Sequence, residues 1–184
     1  MTIFYTGKGD KGKSRIGPKN LPKDDVVFWF LGELDELNCL LGLCRTYIRG
    51  NRRLKDLVPI LGGIQDALFG VQAEVASIGG GYEPRVKIGA DKIKAMEEVI
   101  NSIDLELPSI RNFVIPGGSK LSSQIDLARA VARRVERTAV AFSKMKKLRP
   151  ELMQFLNRIS SLLFALARLV NYRLGIKEEN PIYK

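Results

Sequence analysis

From Asp24 onward, apolar residues recur at helical spacing along most of the chain. Val27, Phe30, Leu31, Leu34, Leu37 and Leu41 follow 3.6-residue spacing, which predicts a helix. Asp24 or Asp25 can cap it, and Gly50-Asn51 ends it. Ile60, Ile64, Leu68, Val71, Val75 and Ile78 predict a second helix, stopped at Gly79-Gly80-Gly81 with Pro84 behind. A shorter, more polar helix is predicted near 89–104. Pro108 and Pro116-Gly117-Gly118 then bound an irregular segment, IRNFVIPGG. A fourth helix begins near Ser119, with the seam Ile125, Ala128, Ala132, Val135, Ala139 and Phe142. Pro150 stands at the first turn of a fifth, whose seam is Leu152, Phe155, Ile159, Leu162, Leu166 and Leu169. Residues 2–23 carry no such pattern. They are polar, basic and broken by Gly and Pro, and only Ile3-Phe4-Tyr5 resembles a strand.

These elements predict an all-α chain of one domain, 1–184: an irregular arm (1–23), an up-and-down five-helix bundle (24–175) and a short polar tail (176–184). A chain of this length buries roughly 70% of its unfolded surface without staples. No apolar run approaches the roughly 18 residues that span a membrane, and the N-terminus lacks a signal-peptide core. Cys39 and Cys44 point to different faces of one helix and do not pair easily. Together these features predict a soluble, cytoplasmic protein in a reducing compartment, with no membrane partner.

Charge narrows the chemistry. Thirty Lys and Arg against twenty Asp and Glu give a net charge of +10, which suits an anionic partner. The chain has no histidine, which excludes His triads, His general bases and His zinc sites. Any reaction must rest on Arg, Lys, Asp, Glu, Ser, Asn, a metal or the substrate itself.

Two segments are candidates. Gly7-Lys8-Gly9-Asp10-Lys11-Gly12-Lys13-Ser14 matches the phosphate-loop string G-x-x-x-x-G-K-S. A phosphate loop leaves a buried strand and runs straight into a helix. Here RIGPKNLPKDD follows Ser14, and Gly17, Pro18 and Pro22 forbid that helix. What survives is composition: glycines and lysines that let backbone amides approach an anion, or else a flexible solvated arm. The second segment is DLARAVARRVERTAV. Arg129, Arg133 and Arg137 advance by about 40° per step of four and form one stripe, flanked by Arg134 and Glu136. The stripe is either a solvated face, a set of partners for acids on neighbouring helices, or a row of guanidinium forks for a polyphosphate. Asp35 and Glu36 in GELDELN are surface acids or partners of that stripe, and Asn157 is a surface or interhelical hydrogen-bonding residue.

Taken in order, YTGKGDKGKS, LPKDD, GELDELNCLLG, FVIPGG, LARAVARRVER and FLNRISSLLFALAR resemble the motifs of the PduO-type ATP:cob(I)alamin adenosyltransferases. The resemblance covers residues 5 to 171. It implies a homotrimer with active sites between subunits. It implies that ATP is held by Thr6, Gly7, Lys8, Gly9, Asp10, Gly12, Ser14, Arg15 and Lys23 together with Arg133, Arg134, Glu136, Arg137 and Asn157. Mg²⁺ would sit on the ATP phosphates, with no protein ligand assigned. Asp35 and Arg129 would form a salt bridge across the subunit boundary, and Phe113 would face the corrin ring of cobalamin and displace its lower ligand. The residues alone leave Phe113 equally well a core plug under its loop. Asp126, Ser161 and Arg15 depart from the family pattern, which often has His, Asp and a small hydroxyl residue at those places. The implied reaction suits a chain without histidine, because cob(I)alamin cobalt attacks the 5′-carbon of ATP unaided by a base. Two other readings stand beside it: a basic helical nucleic-acid-binding protein, and a non-catalytic cobalamin- or nucleotide-binding relative. Against the former, aromatics are not interleaved with the charges.

Overall fold

The helix predicted after Asp24 starts at Val26. Asp25 caps it, its carboxylate accepting from the Val27 amide at 3.0 Å. The structure, a computed structural model, describes residues 4–183. In chain order it contains β1 (Lys13–Ile16), β2 (Lys19–Pro22), α1 (Val26–Ile48), α2 (Leu57–Gly80), α3 (Ala90–Glu106), α4 (Lys120–Ser143) and α5 (Pro150–Arg173). All five expected helices are present. Ser119 caps α4 through a reciprocal bond pattern with Ser122, and Pro150 occupies the first turn of α5.

The helices pack in the order α2, α1, α4, α5, α3, each against the next. Every residue of the two predicted C-terminal seams is buried, and in α1 only Leu31 stays partly exposed. Phe30 and Phe142 meet across α1 and α4 with ring centroids 5.6 Å apart. Cys39 is exposed and Cys44 buried, and burial pushes the Cys44 thiol up to about 11.

The arm corrects the expectation of an irregular segment with a strand only at Ile3-Phe4-Tyr5. β1 and β2 pair antiparallel, with Ile16 opposite Lys19 and Lys13 opposite Pro22. Gly17 holds φ at +54° in the first central position of the two-residue turn, where such hairpins favour glycine. Pro22 terminates an edge strand, a place where a missing amide costs nothing. Gly17 and Pro18 therefore do break helix, but in favour of a hairpin, and the fold is mostly helical with one small sheet. The strand expected at Ile3-Phe4-Tyr5 is not formed at Phe4 and Tyr5; Ile3 lies outside the described residues.

The hairpin docks on the end of α2. Ile16 is buried there, Lys19 Nζ donates to the Gly79 carbonyl at 3.4 Å, and the Tyr82 ring lies over Gly17 and Gly80. A Cβ on Gly79 would overlap the Val27 side chain, so this glycine lets α1, α2 and β1 approach closely. The glycines that stop α2 thus also form the floor under the arm.

A buried ion pair joins α2 to the start of α5. Glu74 is fully buried on α2, and Arg149 Nε and Nη2 reach its two oxygens at 2.8 and 3.0 Å. The same carboxylate accepts the Ile88 amide, and Arg149 also donates to the Ile88 carbonyl, so the α2–α3 connection is clamped on both sides. The Glu74 bond holds the Arg149 guanidinium above its ordinary range. Removing Arg149 would leave a carboxylate buried without its cation. Arg149→Ala is expected to cost about 3–5 kcal/mol in urea unfolding, and Glu74→Gln distinctly less, because Arg149 keeps Glu151 and water.

Candidate functional site

Two separate cavities collect part of the residues singled out in the sequence, while Asp35, Arg134, Glu136, Arg137 and Asn157 line neither. The first, about 540 Å³, is built by the arm and lined by Thr6, Lys8, Gly9, Lys13, Ser14 and Arg15 with Pro18 and Asn20. Its wall is a run of tight turns. Asp10 N donates to Gly7 O at 3.3 Å and Gly12 N to Gly9 O at 3.2 Å, with φ of +68° at Gly7 and +71° at Gly12. Lys23 belongs to the same unit: its amide donates to Gly12 O at 2.9 Å, and its ammonium lies over Gly9. A Cβ on Gly9 would come within 3.0 Å of that nitrogen. Arg15 donates through Nε to the Gly17 carbonyl at 3.0 Å. The arm is therefore a folded cationic cup, with Lys8, Lys11 and Lys13 exposed on it.

The second cavity, about 940 Å³, opens between the 110–114 loop, α4, α5 and the C-terminal tail. It brings together Phe113, Arg129 and Arg133, and adds Ser160, Ser161, Phe164, Asn180 and Tyr183. Phe113 is 78% exposed, so it is not a core plug. Arg129 lies with its guanidinium 5.9 Å from the Phe164 ring centroid and its Nε 3.2 Å from Asp126 Oδ1. Asp126 Oδ2 in turn accepts the Gly117 amide at 3.2 Å. The residue that departs from the family pattern here ties the glycine end of the Phe113 loop to the arginine stripe.

The rest of the stripe divides by role. Arg133 and Arg137 are exposed, joined by a bond from Arg137 Nη1 to the Arg133 carbonyl at 3.1 Å. Arg134 faces α1 and pairs with Glu36 and with Glu33, and the Glu36 bond holds its guanidinium above the usual range. Glu36 is thus an acid that balances α4, while Asp35 remains exposed on α1. Glu136 accepts from Asn157 Nδ2 at 2.8 Å, so the candidates on α4 and α5 are neighbours. Among the described residues, no arm residue lines the larger cavity and no stripe residue lines the arm cavity.

Sequence reasoning missed Phe164, Asn180 and Tyr183. Phe164 carries no signal of its own within an apolar helix. The tail is too short for any periodicity to show where it docks.

Comparison with known proteins decides the family. The cobalamin adenosyltransferase family profile matches residues 4–170. The chain belongs to that family. It is 34% identical over 173 residues to the corrinoid adenosyltransferase of Bacillus subtilis, covering 94% of this chain and 89% of the relative. A PduO-type adenosyltransferase variant from Lactobacillus reuteri, solved with ATP, superposes with a TM-score of 0.89 at 30% identity, covering 97% of this chain and all of the other. A second variant of that enzyme, with one phenylalanine replaced by alanine and with cobalamin and ATP bound, gives 0.87 at 30% identity over 96% of this chain and 98% of the other.

The Asp126 link is open to test. Asp126→Ala leaves the Gly117 amide and the Arg129 guanidinium without that acceptor and is expected to cost about 1–3 kcal/mol in denaturant unfolding. Asp126→Asn keeps an acceptor and is expected to cost less.

Proposed function

We infer that the two cavities are the two halves of one active site, assembled when the arm of one subunit meets α4 of the next. The chain is an ATP:corrinoid adenosyltransferase. It moves the 5′-deoxyadenosyl group of ATP onto the cobalt of cob(I)alamin. A cobalt–carbon bond forms, the C5′–oxygen bond breaks, and the electron pair leaves with triphosphate. The observation that carries the site assignment is the convergence of an exposed Phe113 with Arg129 and Arg133 on one wall of a large cavity.

The chain's residues have three tasks. The arm, from Thr6 to Arg15 with Lys23, cradles the nucleotide phosphates through amides and ammonium groups. Arg133, Arg134 and Arg137, with Glu136 and Asn157, complete the nucleotide site and offset the charge that develops on departing triphosphate. Phe113 presents an apolar ring to the lower face of the corrin, where it excludes water and favours loss of the axial ligand. Mg²⁺ rides on the triphosphate.

The division of the site supports a homotrimer. Within one chain the arm docks on α2, whereas α4 packs on α1 and α5, so the two cationic halves stand apart. A closed ring of copies would bring the arm of one to the stripe of the next, and the family resemblance sets that ring at three. At that boundary Arg129 would gain Asp35 of the neighbouring copy in addition to its own Asp126. No described helix is long and apolar enough to cross a membrane.

The assay mixes the protein with ATP, Mg²⁺ and chemically reduced cobalamin and follows loss of the Co(I) spectrum. Adenosylcobalamin forming no faster than without protein would refute the reading. Arg133→Ala is expected to lower kcat at least about a hundredfold with assembly intact, as when one charge-stabilising donor is lost from a reacting centre. Arg129→Ala is expected to weaken assembly as well, seen by sedimentation. Unchanged kinetics in both would remove the stripe from the mechanism.

A further inference from the structure

Phe113 has almost no packing of its own, so the direction of its ring is set by the backbone beneath it. That backbone is held from one side by the last residues of the chain. Gly175, with φ at +70°, turns the chain out of α5, and the Ile176 amide donates to the Asn171 carbonyl at 2.9 Å. Glu178 then pairs with the buried Arg168 at 3.0 Å, and Arg168 Nη2 also donates to the Pro108 carbonyl, where the loop begins. One and two residues further on, the tail meets the loop directly. The Ile115 amide donates to the Glu179 carbonyl at 2.8 Å, and Asn180 Nδ2 donates to the Phe113 carbonyl at 2.7 Å. These two bonds fix the peptide groups on both sides of Val114. Pro181 and Tyr183 continue into the same cavity as Phe113.

We propose that Asn180 is a positioning residue for corrinoid binding. With the Glu179 carbonyl, it sets the orientation of the Phe113 loop and makes the C-terminal tail a working part of the site. Asn180 touches no reacting atom. It acts through the Phe113 carbonyl, so its loss affects the corrinoid half of the reaction and leaves the nucleotide half alone. Arg168 and Glu178 supply the anchor: the ion pair brings the tail to the loop, and the two hydrogen bonds set the register. The proposal rests on the functional reading of Phe113 given above.

The test has two arms. In the first, hydrogen exchange at the Ile115 amide is compared between the full chain and a chain ending at Lys177. Protection in the full chain that is lost on truncation is expected. Equal exchange in both would overturn the proposal. In the second, the trimer of each variant is assayed with cob(I)alamin and ATP varied in turn. Asn180→Ala and Asn180→Asp are both expected to raise KM for the corrinoid about two- to tenfold, the net worth of one hydrogen bond, with KM for ATP unchanged. Asn180→Gln, which keeps the amide donor, is expected to recover much of the loss. Unchanged corrinoid KM and kcat in Asn180→Ala, or an equal rise in both KM values, would overturn the proposal. A wild-type chain that consumes no cob(I)alamin but shows tail-dependent protection of Ile115 would instead sink the enzyme reading.

Discussion

A guanidinium does not enter an apolar core unpaired, and the seam of α4 leaves it only one other direction. Ile125, Ala128, Ala132, Val135, Ala139 and Phe142 are all buried, and three of the six are alanines. Their small side chains let α4 lie close to both α1 and α5 at the centre of the bundle. The opposite face of the same helix must then carry its arginines outward. Arg133 and Arg137 are exposed because the seam is buried, while Arg134, a third of a turn away, reaches Glu33 and Glu36 on α1. Like charges in a row destabilise an isolated helix. Here tertiary burial outweighs that cost and holds the stripe rigid.

The same economy shapes the loops. The arm has a small core of its own, essentially Ile16 with a partly buried Leu21, and depends on the glycine floor at Gly79 and Gly80. The Phe113 loop has even less burial and is held by hydrogen bonds: Asp126 and Asn171 at Gly117, and the tail at Phe113 and Ile115. The arm and the Phe113 loop are therefore thin structures braced on a stable bundle. Such elements can meet across a subunit boundary without disturbing the core that positions them.

The bundle was legible because helical periodicity is local. Asp25, Ser119 and Pro150 sit at helix starts for reasons contained in a few neighbouring residues. The hairpin was not legible: its strands are four residues each and polar, and Gly17-Pro18 signals a turn without saying what it joins. Lys23 and Phe113 were found through ordered motifs, which mark chemistry rather than burial. Glu74 with Arg149 escaped notice because a pair 75 residues apart leaves no periodic trace. Asn180 escaped for a related reason, since its partner is a main-chain carbonyl of a residue 67 positions earlier.

The central claim is that one phosphate site is shared between two subunits, the arm of one and the stripe of the next. Mixed trimers test this directly. Chains carrying Lys23→Ala are combined with chains carrying Arg133→Ala, after partial unfolding and reassembly, and adenosyl transfer is measured. Each parent alone is inactive at every interface. In random one-to-one mixtures, roughly a quarter of the boundaries in a closed ring join an intact arm to an intact stripe. The account predicts recovery of about that fraction of wild-type turnover. Mixtures that stay as inactive as their parents would show that each site lies within a single chain.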